Sequence, residues 1–212
     1  MRKRIAVYLV GLAINAWGIA LIIFSAAGAG AWDTVAIGLN HSLGLTIGIC
    51  TVIIQVFVII MTGLIERKRL QYESIIAIII RSAFLDMWMF LVFNQLEQPI
   101  SLGGEWLCFI GGMAAMGIGI GIYVEARFPK SPIDGLMLAL HNRFNWSINQ
   151  SRIVVELSGA LIGFILGGPV GLGTVLIALF VGKIIQMVNM KVKKVLNLEY
   201  RYKGSDTASQ IK

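Results

Sequence analysis

The chain has 212 residues, of which 57% are hydrophobic and only 14% are charged, and its mean hydropathy is +0.81. A soluble domain carries about 25% charged residues, so the composition excludes an ordinary soluble enzyme or binding domain. Several apolar runs reach the roughly 20 helical residues that cross a hydrocarbon core. Because open strands and loops cannot satisfy their backbone in lipid, the sequence predicts an all-α polytopic membrane protein.

Six apolar runs predict six transmembrane helices. A short helical segment follows the first and the fourth of them, after a break rich in glycine in one case and in proline in the other. These segments, 33–43 and 134–144, are too short to cross the bilayer. The predicted spans are 5–27, 45–65, 71–93, 105–126, 148–168 and 172–190.

Basic residues are restricted to alternate connections of this six-span arrangement. They occur at 2–4, at 67–69, between 127 and 152, and from 191 to the end, whereas the other three connections contain no Lys or Arg. By the positive-inside bias, both termini face the cytoplasm. The net charge of +7 is therefore a signal of topology, and we expect no nucleic-acid partner.

The same features recur about 101 residues apart in the two halves of the chain. Asp33 corresponds to Asp134, and Gln55 corresponds to Glu156. Each half contains three spans, which is an odd number, so the second half is inverted relative to the first. The predicted organisation is a first repeat at 1–100, a second repeat at 101–195 and a polar cytoplasmic tail at 196–212.

Asp33 and Asp134 follow the two breaks and have two interpretations. Each could cap the short helix behind it and satisfy free amides there. Alternatively, the two carboxylates flank a central cavity, where they coordinate a cation or carry a proton. The two roles do not exclude each other.

Arg81 and Lys183 correspond after a one-residue slip, and each lies about ten residues into its span. A cation at that depth is costly and faces the bundle interior or a partner, so the pair indicates either structural ion pairing or contact with an anionic ligand. Gln55 and Glu156 lie inside spans two and five. Gln55 could simply bond a neighbouring helix, whereas Glu156 must be neutral or paired.

Three further residues complete the candidate set. Asn40 and His141 occupy equivalent positions, and interfacial hydrogen bonding is their simplest role. Trp32 fits an aromatic belt and could also wall a pocket. Two histidines without further ligands do not predict a metal site. The sequence contains no phosphate-binding loop, zinc-protease motif or nucleophile elbow, so we expect neither an enzyme nor a cofactor.

Three runs in the first half carry a resemblance to a known family. They read Tyr-Leu-Val-Gly-Leu at 8–12, Gly-Ile-Ala-Leu at 18–21 and Gly-Ala-Trp-Asp-Thr-Val at 30–35. They resemble the YczE/YyaS/YitT family of bacterial membrane proteins, and the similarity extends over about 5–195. The Ser-Pro-Trp-Asp form usual in that family is divided here, since the first half keeps Trp32-Asp33 and the second keeps Ser131-Pro132 with Asp134.

The resemblance implies a multi-pass protein of the bacterial inner membrane, often described as a permease, and it supplies no substrate. The YitT branch carries a C-terminal cytoplasmic domain, so this chain is expected to be closer to YczE.

Together these features favour a small secondary transporter. Its site lies at the interface of the inverted repeats and takes a small anionic or zwitterionic metabolite. The alternative is a non-transporting scaffold or accessory protein of a larger complex. That alternative predicts that Arg81 and Lys183 are fully paired and that no polar cavity remains. The lipid bilayer is the surrounding partner in both cases, and six short spans are compatible with a homodimer.

Overall fold

The computed structural model describes residues 2–66, 73–97, 99, 101–126, 128 and 131–196. Within these ranges the protein is helical and contains no β-strand. The basic residues predicted at 67–69, 127 and 130 and the tail from 197 onward lie outside the described residues. The α-helices are, in chain order, α1 (Arg2–Ser25), α2 (Ala31–Leu43), α3 (Ile47–Glu66), α4 (Glu73–Leu91), α5 (Leu102–Glu125), α6 (Pro132–Phe144), α7 (Ile148–Ile165) and α8 (Leu172–Leu196).

Five of these helices, α1, α3, α4, α5 and α8, are long and apolar enough to cross a membrane. The remaining predicted span, 148–168, corresponds to α7, which has 18 residues and contains Arg152 and Glu156 among other polar side chains. It is not one of the five, so the number of six spans stays a prediction. The all-helical membrane architecture agrees with the expectation from composition.

The two short helices α2 and α6 each have 13 residues and begin 101 residues apart in the chain. Helix α2 begins directly after Gly30, whereas α6 has Pro132 at its first position, where a missing N–H costs nothing. Their ends also correspond. Gly44 and Asn145 follow α2 and α6 with left-handed φ angles of 67° and 53°. Helix α2 starts at Ala31 and α6 starts at Pro132, which is two residues before the predicted segments 33–43 and 134–144.

Side chains cap the N-termini of both α3 and α7, although the two helices use different partners. Ser147 forms a reciprocal capping box with Gln150 at the start of α7. Thr46 accepts from the backbone N–H of Ile49 at 3.2 Å. It also donates to Asp86 of α4 at 2.6 Å, so a carboxylate from a neighbouring helix completes the start of α3.

Helices α1 and α5 cross with their backbones in contact at four glycines. A Cβ on Gly18 would lie 2.7 Å from the carbonyl oxygen of Gly112. A Cβ on Gly119 would lie 2.7 Å from the carbonyl oxygen of Gly11. Any side chain at these positions would force the helices apart, so the glycines are what permits this close approach.

The short helix of each half packs against the long helix that follows the short helix of the other half. Helix α2 contacts α7, and α3 contacts α6. Glycines again set the distance on one side, because a Cβ on Gly163 of α7 would clash with Thr34 of α2. The two halves are thus interleaved, and residues from both surround the centre of the molecule.

We expect Gly119→Ala to lower the midpoint of thermal unfolding in detergent, because its new Cβ would lie 2.3 Å from the backbone nitrogen of Asn15. Overpacking of this kind costs about 1–3 kcal/mol. The matched control is Gly111→Ala on the same helix, where the nearest atom would be Leu21 Cδ2 at 3.8 Å. Equal midpoints for the two variants would show that the contact is not tight.

Candidate functional site

A cavity of about 190 Å³ lies between the two halves. Every helix from α1 to α8 contributes to its lining, so the site depends on the complete fold. The lining is partly apolar, with aliphatic side chains from α5 and α8. The polar and aromatic lining residues are Tyr8, Asn15, Trp32, Asp33, Gln55, Arg81, Tyr123, Ser131, Arg152 and Glu156.

Asp33 and Arg81 place opposite charges in this cavity. Asp33 lies in the first turn of α2, and the guanidinium of Arg81 on α4 is close enough to interact with its carboxylate electrostatically. Arg81 is partly buried, as expected for a cation in the interior of a bundle. Asp33 and Arg81 lie on different helices of the first half, and folding brings both to the cavity.

The interpretation of Asp33 as the N-cap of α2 is wrong. The N-cap is Gly30, whose extended backbone lets the helix begin at Ala31, and no side chain bonds there. Asp33 is the third helical residue, and its carboxylate lies over Gly30, where a Cβ would be 2.6 Å from Oδ2. Burial raises the pKa of the Asp33 carboxyl, while the Arg81 guanidinium and the positive end of the α2 dipole act in the opposite direction.

Gln55 brings an unsatisfied hydrogen-bonding group to the cavity. Its side chain on α3 is only 4% exposed, and its Oε1 has no hydrogen-bond partner among the described residues. A buried acceptor without a donor costs about 1–3 kcal/mol. A ligand or water that donates a hydrogen bond in the cavity would remove this cost.

Trp32 forms one wall of the cavity and connects α2 to α7. Its Nε1–H donates to the carbonyl oxygen of Val155 at 3.2 Å. The ring lies against Gly159, where a Cβ would be 2.9 Å from Nε1. The expectation that Trp32 could wall a pocket therefore agrees with its position.

Arg152 and Glu156 of α7 line the cavity one helical turn apart. Glu156 is partly buried, whereas Arg152 is exposed. The guanidinium of Arg152 extends toward α8, where its Nη1 lies 3.5 Å from the position of a Cβ on Gly182. Arg152 counted only toward topology in the sequence, although its spacing from Glu156 places both on one face of a helix.

Lys183 is not brought to the cavity, in contrast to the expectation that it shares a cavity with Arg81. Its side chain on α8 is exposed, and its Nζ lies 5.7 Å from the centre of the Phe180 ring. The neighbours Val181 and Ile185 occupy the inward face of α8 instead. The correspondence between the two halves predicts that Arg81 and Lys183 lie at the same depth in their spans. It does not predict toward which side of its helix each side chain extends.

Asn40 and His141 also lie away from the cavity lining, and they make equivalent bonds at the ends of α2 and α6. The Asn40 amide donates to the carbonyl oxygen of Leu45, and His141 Nδ1 donates to that of Trp146. These bonds fit the interfacial role that was the simpler of their two interpretations. Asp134 lies in the first turn of α6, but its side chain lies outside the described part of the structure.

Asn15 is a cavity residue that the sequence analysis missed. It lies at the α1–α5 crossing, where its Nδ2 donates to the carbonyl oxygen of Met116 at 3.4 Å. A buried amide in an otherwise apolar span is the signal that could have identified it. In the described ranges no group of three His, Cys, Asp or Glu side chains could hold a metal ion.

We expect His141→Ala to lower the unfolding midpoint by removing the bond that closes the α6 turn, at a cost of about 0.5–1.5 kcal/mol. His141→Asn should retain the native midpoint, because Asn40 makes the equivalent bond in the first half. Thermal unfolding in detergent measures both. A loss of the same size in the Asn variant would contradict this role.

The chain is similar to several uncharacterised proteins, one of which is described as a membrane protein. A family model described as a family of unknown function (DUF6198) matches residues 2–190. The uncharacterized protein YyaS of Bacillus subtilis is 32% identical over 169 residues, which is 80% of this chain and 84% of that protein. The uncharacterized membrane protein YczE of the same organism is 29% identical over 84% of this chain and 82% of its own length.

An uncharacterized protein of Haemophilus influenzae is 30% identical over 93% of this chain and 88% of that protein. No solved structure matches the chain. The resemblance carried by the Trp32-Asp33 region is confirmed by these similarities.

Proposed function

Because the chain belongs to the YczE- and YyaS-containing family described as of unknown function (DUF6198), we propose that it is a small secondary transporter of the bacterial inner membrane. Its central site is the cavity between the two halves. The ligand is a small anionic or zwitterionic metabolite, and the protein moves it without chemical change.

The composition of the cavity carries this proposal. Arg81, Asp33 and the unsatisfied Oε1 of Gln55 meet in a protein whose remaining interior is largely apolar. Charged groups in the interior of a membrane protein are expensive and mark ligand or ion pathways. A volume of about 190 Å³ is below the roughly 300 Å³ at which pockets for drug-sized ligands begin, so the bound group is small.

The pattern of contacts supports an inverted repeat around this site. Gly11 meets Gly119, and the residues 101 positions from each, Gly112 and Gly18, meet one another. Such reciprocal contacts are what a two-fold relation between the halves produces. Inverted repeats around a midplane site allow one half to move against the other and expose the site to each side in turn.

A non-transporting scaffold would require that every charge in the interior is paired with another side chain and that no polar cavity remains. The cavity favours the transporter over this alternative. A scaffold would still be compatible with the exposed helix faces of α7 and α8.

We expect Arg81→Gln to reduce uptake about tenfold in proteoliposomes supplied with labelled amino acids, dicarboxylates and phosphate esters. Loss of a hydrogen bond to a charged group costs about 1.5–3 kcal/mol, which is tenfold or more. The matched control is Lys193→Gln, which removes an exposed cation from the last turn of α8 outside the cavity.

A folded wild-type protein that moves no compound of the panel would contradict the transporter proposal. Equal uptake by the Arg81 and Lys193 variants would remove Arg81 from the site.

We expect six spans with both termini in the cytoplasm to place Gln95 and Lys68 on opposite sides of the membrane. Single cysteines at these positions, in a chain with Cys50→Ser and Cys108→Ser, can be labelled with an impermeant maleimide. Gln95→Cys should react from outside, and Lys68→Cys only after permeabilisation. Labelling of both from one face would contradict the inverted arrangement.

A further inference from the structure

We propose that the cavity takes the headgroup of an anionic amphiphile, which enters from the bilayer through a lateral mouth between α7 and α8. This inference names a substrate class for the proposed transport site and rests on that proposal. The headgroup carries a phosphate or carboxylate, and its acyl chain stays in the lipid.

The lateral mouth arises from a difference between the two halves. In the first half α3 packs against α4. In the second half α7 packs against α2 and α6, and α8 packs against α5, but among the described residues α7 and α8 make no comparable contact with each other. The α3–α4 contact that closes the first half therefore has no comparable counterpart between α7 and α8.

Arg152 marks where the cavity reaches the surface. It lines the cavity and its side chain is exposed, as expected of a residue at the rim of an opening. The equivalent residue in the first half is Thr51, which is 4% exposed and donates to the carbonyl oxygen of Ile47 at 2.8 Å. The second half therefore carries a long cation at the position where the first half has a short, internally bonded side chain.

The mouth lies within the predicted spans, because Arg152 is four residues from the start of α7 and its guanidinium reaches the middle of α8. The Arg152 guanidinium is beside Gly182, which is ten residues from the start of α8 at Leu172. At about 1.5 Å per residue this is roughly 15 Å, or half of a hydrocarbon core of about 30 Å. Lys183 is the next residue along α8, and its side chain is exposed at the same level.

The surroundings of the mouth favour an amphiphile over a soluble anion. Leu157 on α7 and Leu179 and Met187 on α8 expose 64%, 61% and 53% of their surface on these outward faces. A soluble ion would have to cross lipid to reach this opening, whereas a lipid-like molecule already has its chain there. An exposed cation within a span is costly, and an anionic headgroup offsets that cost.

The order of charges along the entry path fits an anionic headgroup. The acidic lining residues among those described, Asp33 and Glu156, are partly buried, whereas Arg152 is exposed. A ligand that enters from the lipid therefore meets cationic side chains first, and Arg81 provides a further cation inside. The volume of about 190 Å³ accommodates a headgroup without its acyl chains.

Native mass spectrometry of the protein in detergent, titrated with dioleoyl phosphatidylglycerol or dioleoyl phosphatidylcholine, tests the inference. We expect tighter binding of phosphatidylglycerol by the wild type. The double variant Arg152→Thr/Lys183→Gln should lower that affinity by about tenfold or more. Thr is the residue at the equivalent position of the first half, so this change suits the helix. The control Lys193→Gln/Lys194→Gln removes the same charge from the last turn of α8.

Equal affinity for the two lipids, or an equal loss in both double variants, would overturn the inference, since either result indicates only nonspecific attachment to the surface. A competition with glycerol 1-phosphate on the wild type does not depend on the variants folding. At equal concentration it should not displace phosphatidylglycerol, and displacement would assign the cavity to soluble anions. Uptake of a soluble compound without a preference for phosphatidylglycerol would defeat this inference while leaving the transporter proposal intact.

Discussion

The direct contact between the backbones of α1 and α5 is the constraint on which the remaining structure depends. Gly11, Gly18, Gly112 and Gly119 have no side chain at the points where the two backbones meet. In lipid, helices associate through close packing and interhelical hydrogen bonds, because lipid tails are as apolar as the side chains themselves. On another face of α5, Gly117 and Gly121 leave room for the Ile184 and Val188 side chains of α8. The crossing holds the halves together and fixes the position of the cavity beside it.

A close glycine crossing also explains how a small protein can maintain a polar centre. Asn15 lies on α1 between the two glycine contacts and donates to a carbonyl oxygen of α5. The bond satisfies the amide where no water is supplied by the lipid, since unsatisfied groups there cost several kcal/mol. Charged residues can then approach from α2, α4 and α7 around a frame that is already bonded. The frame holds Asp33 and Arg81 within electrostatic reach of one another, which lowers the cost of a charged cavity.

The sequence predicted the depth of the site residues better than their direction. Asp33, Gln55, Arg81, Glu156 and Trp32 line the cavity, because polar side chains within apolar spans have few other places to go. Lys183 has the same depth as Arg81 but points outward, and a correspondence between two halves carries no information about helix rotation. The start of α2 was misplaced because Gly30 caps through backbone geometry alone, which leaves no side-chain signature.

The departures from symmetry are more informative for function than the symmetry itself. Asn40 and His141 make the same kind of hydrogen bond, to a backbone carbonyl oxygen five residues later, with two different side chains. This position therefore depends only on the geometry of the turn. Thr51 and Arg152 differ in another way, since the change converts a buried, internally bonded side chain into an exposed cation. A charge at that depth has a cost that the first half avoids. The cost is understandable if the second half must meet a charged group that the first half does not, as the proposed anionic amphiphile would require.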